Sequence, residues 1–271
     1  MSFAPGHISL TFAIHKNESP LSMGSTGLGI VLPKGVYCSI VDDYLYGEDN
    51  TVIIENKVVE DPVVIRAIEL LGYGGRGLSI YLRRDLPIGA GFGISGASAL
   101  AACLELDKNL QNCTLAAHQA EIEYKTGLGD VVAISSALRE GDFPLIVERV
   151  EPGYNGKTIS HKVNSKLVIC VSGLGRNTSE IISSPEWSEI INTVSSNLNV
   201  TEYDIRSVIK AGRVFTEKSG LINENLAGIL DKIPLGAVSS VAHLGTSIVA
   251  VSDNVEELTE CLEKYGNVLV Y

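Results

Sequence analysis

The sequence lacks an excess of positive charge. Its 271 residues include 21 Lys and Arg against 32 Asp and Glu, which gives a formal net charge of −11. A chain with this charge repels nucleic acid and anionic membrane surfaces, so we expect neither as a partner. Any nucleotide that it binds must be held by local groups, such as backbone N–H groups, a helix N-terminus, a metal ion or single cations.

Paired cysteine spacings and long hydrophobic runs are also missing. The five cysteines are scattered without a C-x-x-C pair, and their odd number is typical of free thiols in a reducing compartment. The N-terminus has neither the basic start nor the cleavage pattern of a signal peptide, and no apolar run approaches ~18 residues. We therefore expect a cytoplasmic location.

The composition that remains is typical of an ordered, folded chain. Hydrophobic residues make up 45% and charged residues 20% of the sequence, and repeats and low-complexity tracts are absent. The length favours two modest domains over a single large one, with a boundary near residue 160. We predict domains at residues 1–160 and 161–271.

Hydrophobic periodicity and turn residues predict a mixed α+β class. The predicted strands are 8–14, 35–41, 51–54, 57–59, 77–83, 144–150, 157–163, 167–173, 237–243 and 246–251. One predicted helix begins at Pro62, and three more cover residues 95–109, 115–126 and 130–139. Three further helices are predicted in the second half of the chain.

A glycine-rich loop, PIGAGFGISGASA from Pro87 to Ala99, stands directly before a predicted helix. Alternating glycines at this point let backbone N–H groups converge on an anion, and the dipole of the following helix favours negative charge. The pattern predicts a phosphate-binding loop. The alternative is a tight strand-to-helix turn without a ligand, although such a turn needs fewer glycines.

Two other nucleotide-binding motifs are disfavoured by their context. The loop fits G-x-G-x-x-G, but the preceding strand alternates apolar and polar residues, unlike the continuous apolar strand of a dinucleotide-binding fold. Gly156-Lys157-Thr158 resembles the end of a Walker loop, but Glu151 occupies the position where that motif needs glycine. We interpret this tripeptide as a hairpin turn.

The loop resembles the P-x-G-x-G-L-G-S-S-A-A motif of the GHMP kinases. Phe92 replaces the usual Leu and Ile94 the first Ser, whereas Ser95 keeps the second Ser. Ala4-Pro5-Gly6-His7-Ile8 resembles the N-terminal A-P-G segment of the same family, without the G-E-H that follows in mevalonate and galactose kinases. The resemblance implies a two-domain fold, with an N-terminal nucleotide-binding α/β domain built on a mixed sheet and a C-terminal ferredoxin-like α+β domain.

Further segments resemble one branch of that family, the archaeal pantoate kinases. They are His7 after Pro-Gly, SMGSTGLGIVLPKGV from Ser22, and TGLGDVV from Thr126. The resemblance implies ATP and Mg²⁺ as cofactors and pantoate as the phosphate acceptor, and a two-domain enzyme of this kind is often a homodimer. It also implies that ATP is bound by Pro87, Gly89, Ala90, Gly91, Phe92, Gly93, Ile94, Ser95, Gly96 and Ala97.

Two acidic residues match the positions of the family's catalytic groups. Asp130 follows a glycine-rich turn and precedes a helix, a local pattern that is also typical of a helix N-cap. The resemblance implies instead that Asp130 is the catalytic base. Glu121 could be a solvated helix residue, whereas the resemblance makes it the Mg²⁺ ligand together with Ser95. Glu123 is the other candidate for that ligand.

The resemblance also implies a set of substrate-binding residues. A carboxylate substrate with two methyl groups needs a cation or converging donors and some apolar surface. His118 is one turn before Glu121 on the same predicted helix face, although a lone helical His is more often structural. Thr178 could equally be a helix N-cap. The predicted substrate-binding residues are His7, Ser25, His118, Arg149 and Thr178.

Three functions remain open on these patterns. The first is phosphorylation of pantoate, and the second is phosphorylation of another small hydroxy compound, such as homoserine or mevalonate, because a phosphate loop does not recognise the acceptor. The third is a non-catalytic nucleotide-binding regulator. Retention of Ser95, Glu121 and Asp130 favours a kinase.

Gly245 is a weak match to the family's third glycine-rich motif. A tight strand-to-strand turn explains this glycine equally well.

Overall fold

The structure is a computed structural model that describes residues 1–173 and 178–271, the second range beginning with the backbone of Thr178. The strands are β1 (Ser2–Ser9), β2 (Ala13–His15), β3 (Gly24–Asp42), β4 (Thr51–Ile54), β5 (Lys57–Val59), β6 (Leu78–Arg84), β7 (Leu145–Arg149), β8 (Thr158–Lys162), β9 (Val168–Val171), β10 (Val238–Val241), β11 (Ser247–Val251) and β12 (Asn267–Val270). The helices are α1 (Pro62–Leu70), α2 (Ile94–Leu106), α3 (Leu110–Tyr124), α4 (Asp130–Glu140), α5 (Thr178–Ser183), α6 (Pro185–Ser196), α7 (Ile205–Ser219), α8 (Glu224–Leu230) and α9 (Val255–Leu262).

The larger sheet is mixed and is organised around the long strand β3. It runs in the order β5-β4-β6-β3-β7-β8, and β1 and β2 also pair with β3. β4 and β6 pair in parallel, whereas β6 and β3 run antiparallel. The strand before the glycine loop is therefore not part of a doubly wound parallel sheet, in agreement with the sequence argument.

Strand β3 is much longer than the predicted strand 35–41, because Pro33 lies inside it without breaking it. Residues Gly27 to Val31 pair with β7, and Val36 to Asp42 pair with β6. Pro33 thus falls where β3 changes partners, a position at which a missing N–H removes no hydrogen bond of either ladder. The predicted strand 8–14 is in turn divided into β1 and β2. At this break the N–H groups of Leu10 and Thr11 both donate to the Leu28 carbonyl.

Helix α2 is the central buried helix of the first half. Nine of the 13 residues of this Ala-rich helix are buried, and it packs against β1, β3, α1 and α3. Small side chains let the sheet and the neighbouring helices approach its axis closely. Helix α3 starts earlier than the predicted residue 115, because the Asn109 side chain accepts hydrogen bonds from the N–H groups of Gln111 and Asn112.

The smaller sheet has the order β10-β11-β9-β12 and is antiparallel, with α7 and α8 packed against β10 and β11. β8 still belongs to the larger sheet, and β9 is the first strand of the smaller one. The chain thus passes between the sheets after Lys162 and before Val168, whereas the predicted boundary near 160 lies inside β8. In the described ranges, we find no helix with the length and apolarity needed to cross a membrane.

Candidate active site

A cleft of about 370 Å³ opens where the glycine loop, the α3–α4 connection and the β10–β11 turn meet. Each of these segments follows or precedes a buried element, so the scaffold holds their positions while their backbone reaches solvent. The described residues that line the cleft are Ser9, Phe12, Ser25, Ile88, Gly89, Gly91, Phe92, Gly93, Ile94, Ser95, Glu121, Tyr124, Lys125, Thr126, Gly127, Leu128, Gly129, Asp130, Ser179, Ile182, His243 and Leu244.

The glycine loop has a backbone that other residues rarely adopt. Gly89, Gly91 and Gly93 have φ angles of 78°, 91° and 58°. Gly93 is also the N-cap of α2, and it contributes no side-chain hydrogen bond to the first turn. The first-turn N–H groups that lack a partner within the helix, together with the helix dipole, can therefore bind an anion.

The structure divides the predicted ATP-binding residues into two groups. Gly89, Gly91, Phe92, Gly93, Ile94 and Ser95 line the cleft, and so does Ile88, which was not predicted. Pro87, Ala90, Gly96 and Ala97 do not line it. Of this second group, Ala90 and Ala97 are buried in the hydrophobic core. Gly96 lies against the Glu121 carboxylate.

Glu121 occupies a niche that two glycines leave open. Its side chain is buried, and a Cβ added to Gly96 or Gly127 would lie 2.6 Å or 2.5 Å from Glu121 Oε2. The Thr126 hydroxyl donates to Glu121 Oε1 over 3.2 Å. The helix α3 therefore directs a carboxylate into the cleft beside the start of α2.

Two other predicted site residues on α3, Glu123 and His118, do not reach the cleft. Glu123 is exposed and pairs with Arg66, with 2.7 Å between Oε2 and Nε, and it does not line the cleft. His118 is buried, its Nε2 lies 2.9 Å from the Met23 carbonyl oxygen, and it does not line the cleft either. The structure thus gives His118 a bond that ties α3 to the segment before β3, and it leaves Glu121 as the carboxylate of this helix that lines the cleft.

Asp130 is the first residue of α4, and the cap residue is Gly129. The Asp130 side chain does not cap the helix, which removes that alternative. Its Oδ1 lies 2.6 Å from Nδ1 of His7, and the Asp130 side chain is 21% exposed. A side chain at Gly93 would crowd it, since an added Cβ would lie 3.0 Å from Asp130 Cβ. The carboxylate therefore lies next to the glycine loop.

His7 and Arg149 form a buried chain behind Asp130. The Arg149 Nη1 donates to His7 Nε2 over 3.2 Å, and both side chains are almost fully buried. Neither residue lines the cleft, so the structure does not bring the predicted substrate contacts His7 and Arg149 to its surface. Arg149 lies directly behind the wall, because a Cβ at Gly129 would lie 2.7 Å from Arg149 Nε.

The two carboxyl groups of the cleft have pKa values shifted in opposite directions. Burial raises the pKa of Asp130, but the hydrogen bond from His7 and the positive charge of Arg149 oppose this effect, and the pKa is lowered overall. Burial, and then the negative charge of Asp130, raise the pKa of Glu121 well above its usual value. Asp130 is thus ionised at neutral pH, and a cation beside Glu121 would stabilise its charged form.

Ser25 and Thr178 complete the predicted set. Ser25 is buried on β3, lines the cleft and lies beside Gly129. The backbone of Thr178 begins α5, which contributes Ser179 and Ile182 to the cleft. The side chain of Thr178 lies outside the described residues.

Several cleft residues were missed from the sequence. Phe12 and His243 form a wall with Phe215, with ring centroids of Phe215 and His243 4.8 Å apart. Lys125 is an exposed cation at the rim, in a left-handed conformation at the end of α3. A Lys directly before a Thr-Gly turn was a usable signal for Lys125. The pairing of Phe12 with His243 had none, because these residues are far apart in the chain.

This arrangement supplies the groups needed to move a phosphoryl group. The start of α2 can bind phosphate, an ionised Asp130 can hold or accept a proton, and Ser95 and Glu121 offer oxygen ligands. In the part of the chain that the structure describes, no group of three or more His, Cys, Asp or Glu could hold a metal ion alone.

Comparison with known proteins places these features in a family. Residues 62–137 match the model of the N-terminal domain of GHMP kinases. A pantoate kinase of Methanospirillum hungatei is 30% identical, with 98% of this chain and 91% of the relative covered. A pantoate kinase of Methanocaldococcus jannaschii is 29% identical over 99% of this chain and 98% of its own.

Solved structures share the fold. A phosphotransferase related to the CoA biosynthesis pathway superposes with a TM-score of 0.76 at 24% identity, with 99% of this chain and 94% of that chain covered. A mevalonate kinase superposes with a TM-score of 0.66 at 15% identity, with 100% and 97% covered. The predicted α+β two-domain fold is confirmed by these similarities.

Proposed function

The chain belongs to the GHMP kinase family, and from this membership we propose that it transfers the γ-phosphoryl group of ATP to the primary hydroxyl of pantoate. The product is 4-phosphopantoate, an intermediate of coenzyme A biosynthesis. The observation that carries the proposal is the convergence of Ser95, Glu121 and Asp130 on one cleft beside an uncapped helix start. A binding module without chemistry has no need of all three.

The nucleotide phosphates bind at the glycine loop and the start of α2. Lys125 at the rim adds a positive charge where a triphosphate needs one in an acidic protein. Tyr124 lines both this cleft and a second one of about 370 Å³, whose wall also includes Val58, Pro62 and Arg66. The nucleoside extends from the phosphates past Tyr124 toward this second cleft.

Ser95 and Glu121 are the residues that would hold Mg²⁺. Both residues offer oxygen donors. Burial and the negative charge of Asp130 disfavour the ionised form of Glu121, and a cation nearby would stabilise that form. When bound, the ion neutralises phosphate charge during transfer. The ion pair of Glu123 with Arg66 and its position outside the cleft favour Glu121 over Glu123 for this role.

Asp130 is the base that receives the hydroxyl proton. The lowered pKa of Asp130, caused by His7 and Arg149 against the effect of burial, keeps the carboxylate ionised. The pantoate 4-hydroxyl oxygen bonds to the γ-phosphorus while the bond from that phosphorus to the β–γ bridging oxygen breaks. The proton passes to Asp130, and ADP leaves with the electron pair of the broken bond.

Pantoate lies on the side of the cleft away from the loop. Phe12, Leu128 and Leu244 supply apolar surface for its two methyl groups. The hydroxyl of Ser25 is a hydrogen-bond partner at the wall, and the charge of Arg149 lies immediately behind it. Two Arg149 nitrogens, Nε and Nη2, have no hydrogen-bond partner among the described residues, so this charge is available to attract the carboxylate.

An acceptor panel tests the proposal. The purified chain is incubated with ATP and Mg²⁺ and with pantoate, homoserine, mevalonate or galactose, and ADP formation is followed. We expect kcat/KM to be highest for pantoate and activity to be lost when EDTA removes Mg²⁺. Asp142→Asn serves as a matched control, since Asp142 is 65% exposed and lies outside the cleft.

The other outcomes separate the alternatives. Turnover of homoserine or mevalonate but not of pantoate would keep the kinase and change the acceptor. Tight ATP binding without turnover of any acceptor would favour a nucleotide-binding regulator. The cytoplasmic location, the homodimer and the two-domain division at residue 160 stay predictions.

A further inference from the structure

We propose that His7 is a positioning residue, which holds the Asp130 carboxylate in its reactive orientation through a tautomer that Arg149 selects. This inference rests on the proposed function, because it assigns Asp130 as the base. It differs from the substrate contact that the sequence predicted for His7, since His7 is fully buried and does not line the cleft.

The tautomer follows from the donor inventory of the three groups. A guanidinium has donors and no acceptor, so the 3.2 Å contact from Arg149 Nη1 requires an unprotonated His7 Nε2. A neutral imidazole then carries its proton on Nδ1, which donates to Asp130 Oδ1 over 2.6 Å. Arg149 thus directs the only imidazole proton toward Asp130.

The environment keeps the imidazole neutral. Burial is the largest influence on the pKa of His7 and lowers it, and the positive charge of Arg149 lowers it further against the opposing effect of Asp130. Two titratable groups contact this ring, Asp130 of α4 and Arg149 of β7. Glu121 of α3 faces Asp130 on the side of the cleft.

Close contacts on two sides hold His7 in place. Gly29 of β3 lies against the imidazole ring, and a Cβ there would overlap His7 Nε2. On the other side, the backbone N–H of His7 donates to the Phe92 carbonyl over 2.8 Å. One residue therefore connects the phosphate loop, through its backbone, with the base, through its side chain. A shift of either would misalign the donor phosphate and the attacking hydroxyl.

Two amide substitutions separate positioning from packing. In His7→Asn, the amide nitrogen replaces Nδ1 and still donates to Asp130, but the side chain is too short to accept from Arg149. In His7→Gln, the longer side chain can accept from Arg149 in place of Nε2, and the donor to Asp130 is lost. Both variants are neutral, and they remove different halves of the chain of hydrogen bonds.

The kinetic readout is kcat against KM for both substrates, with thermal unfolding as the check on folding. We expect His7→Asn to keep kcat within roughly tenfold of the wild type, and His7→Gln to lose about 100-fold or more. KM for ATP should change little in either variant. If the role is only to satisfy the buried guanidinium, His7→Gln will be the more active variant, and that result would overturn the proposal.

A spectroscopic measurement on the wild-type chain decides the matter even if neither variant folds. Nitrogen-15 NMR of the histidine rings reports which ring nitrogen carries the proton. We expect His7 to be protonated on Nδ1 and not on Nε2 at neutral pH; protonation on Nε2 would overturn the assignment. This readout needs no turnover, so a failure of the chain to phosphorylate pantoate would be recognised separately.

Discussion

Gly245, in the β10–β11 turn, packs directly on Gly91 of the glycine loop. A Cβ at Gly245 would overlap the backbone N and Cα of Gly91, and a Cβ at Gly91 would meet the Ala242 side chain at 2.8 Å. The N–H of Gly245 also donates to the Ala242 carbonyl, which closes the turn. The smaller sheet therefore supports the glycine loop for which we propose phosphate binding, and Gly245 both forms a tight turn and contacts that loop.

Gly245→Ala should displace the glycine loop. Since the overlap is with backbone atoms, the neighbours cannot yield by rotating a side chain, and overpacking of this kind costs about 1–3 kcal/mol. We expect KM for ATP to rise roughly tenfold or more, as 1.4 kcal/mol is a tenfold change in an equilibrium constant. Steady-state kinetics and thermal unfolding measure the two effects. Gly228→Ala is the matched control, because Gly228 lies in α8 with nothing within 4 Å of an added Cβ.

Asp130→Asn should separate binding from chemistry. The amide oxygen can still accept the hydrogen bond from His7, so the fold and the ATP affinity should be nearly unchanged. Without a base, kcat should fall by about 10²–10⁴-fold. Calorimetric titration with ATP and the ADP-release assay measure these quantities side by side. Full activity of this variant would remove Asp130 from the mechanism.

Ser25→Ala should weaken the binding of pantoate and leave the binding of ATP unchanged. Ser25 is buried at the wall beside Gly129, where Arg149 also lies. Loss of a hydrogen bond to a charged group costs about 1.5–3 kcal/mol. We therefore expect KM for pantoate to rise by about tenfold or more and KM for ATP to stay the same. Equal increases in both KM values would mean that Ser25 acts through the general shape of the cleft.

His243 should make stability depend on pH. Burial lowers the pKa of His243 from 6.5 to about 4, although a backbone hydrogen bond at Leu10 opposes the shift. The unfolded chain therefore binds a proton at a higher pH than the folded chain does. Protonation of His243 therefore leaves the free energy of unfolding unchanged well above pH 6.5. As the pH falls from 6.5 toward 4, this free energy decreases by about 3 kcal/mol in total.

Urea unfolding between pH 7.5 and 4.5 measures this contribution as a slope. His243→Phe keeps a ring between Phe12 and Phe215 and cannot titrate, so its free energy of unfolding should decline less steeply than that of the wild type. His15→Gln is the control, since His15 is exposed. Parallel slopes for His243→Phe and the wild type would contradict the prediction.

The parts of the molecule that were predictable are those that depend on local sequence. The loop from Gly89 to Gly93 could be predicted because its conformation needs glycine at each turn, and α4 could be predicted from its own periodicity. The full length of β3 could not be predicted, since the change of strand partners near Pro33 is a property of the whole sheet.

The site itself depends on contacts that local sequence does not encode. His118 shares a helix face with Glu121 yet bonds to the Met23 carbonyl, because that face is buried against the segment before β3. His7 and Asp130 are 123 residues apart in the chain and meet only when β1 and α4 pack together. Local patterns could name the chemical groups but not which of them face the cleft.

Phosphorus NMR of the reaction of this chain with ATP, Mg²⁺ and pantoate tests most directly whether it phosphorylates pantoate. We expect a phosphomonoester signal that grows in step with ADP and couples to the two protons of the pantoate CH₂–O group. Asp130→Asn should not produce it at a comparable rate, whereas Asp142→Asn should. Formation of ADP and inorganic phosphate without that ester, or no reaction at all, would contradict the proposed phosphorylation of pantoate.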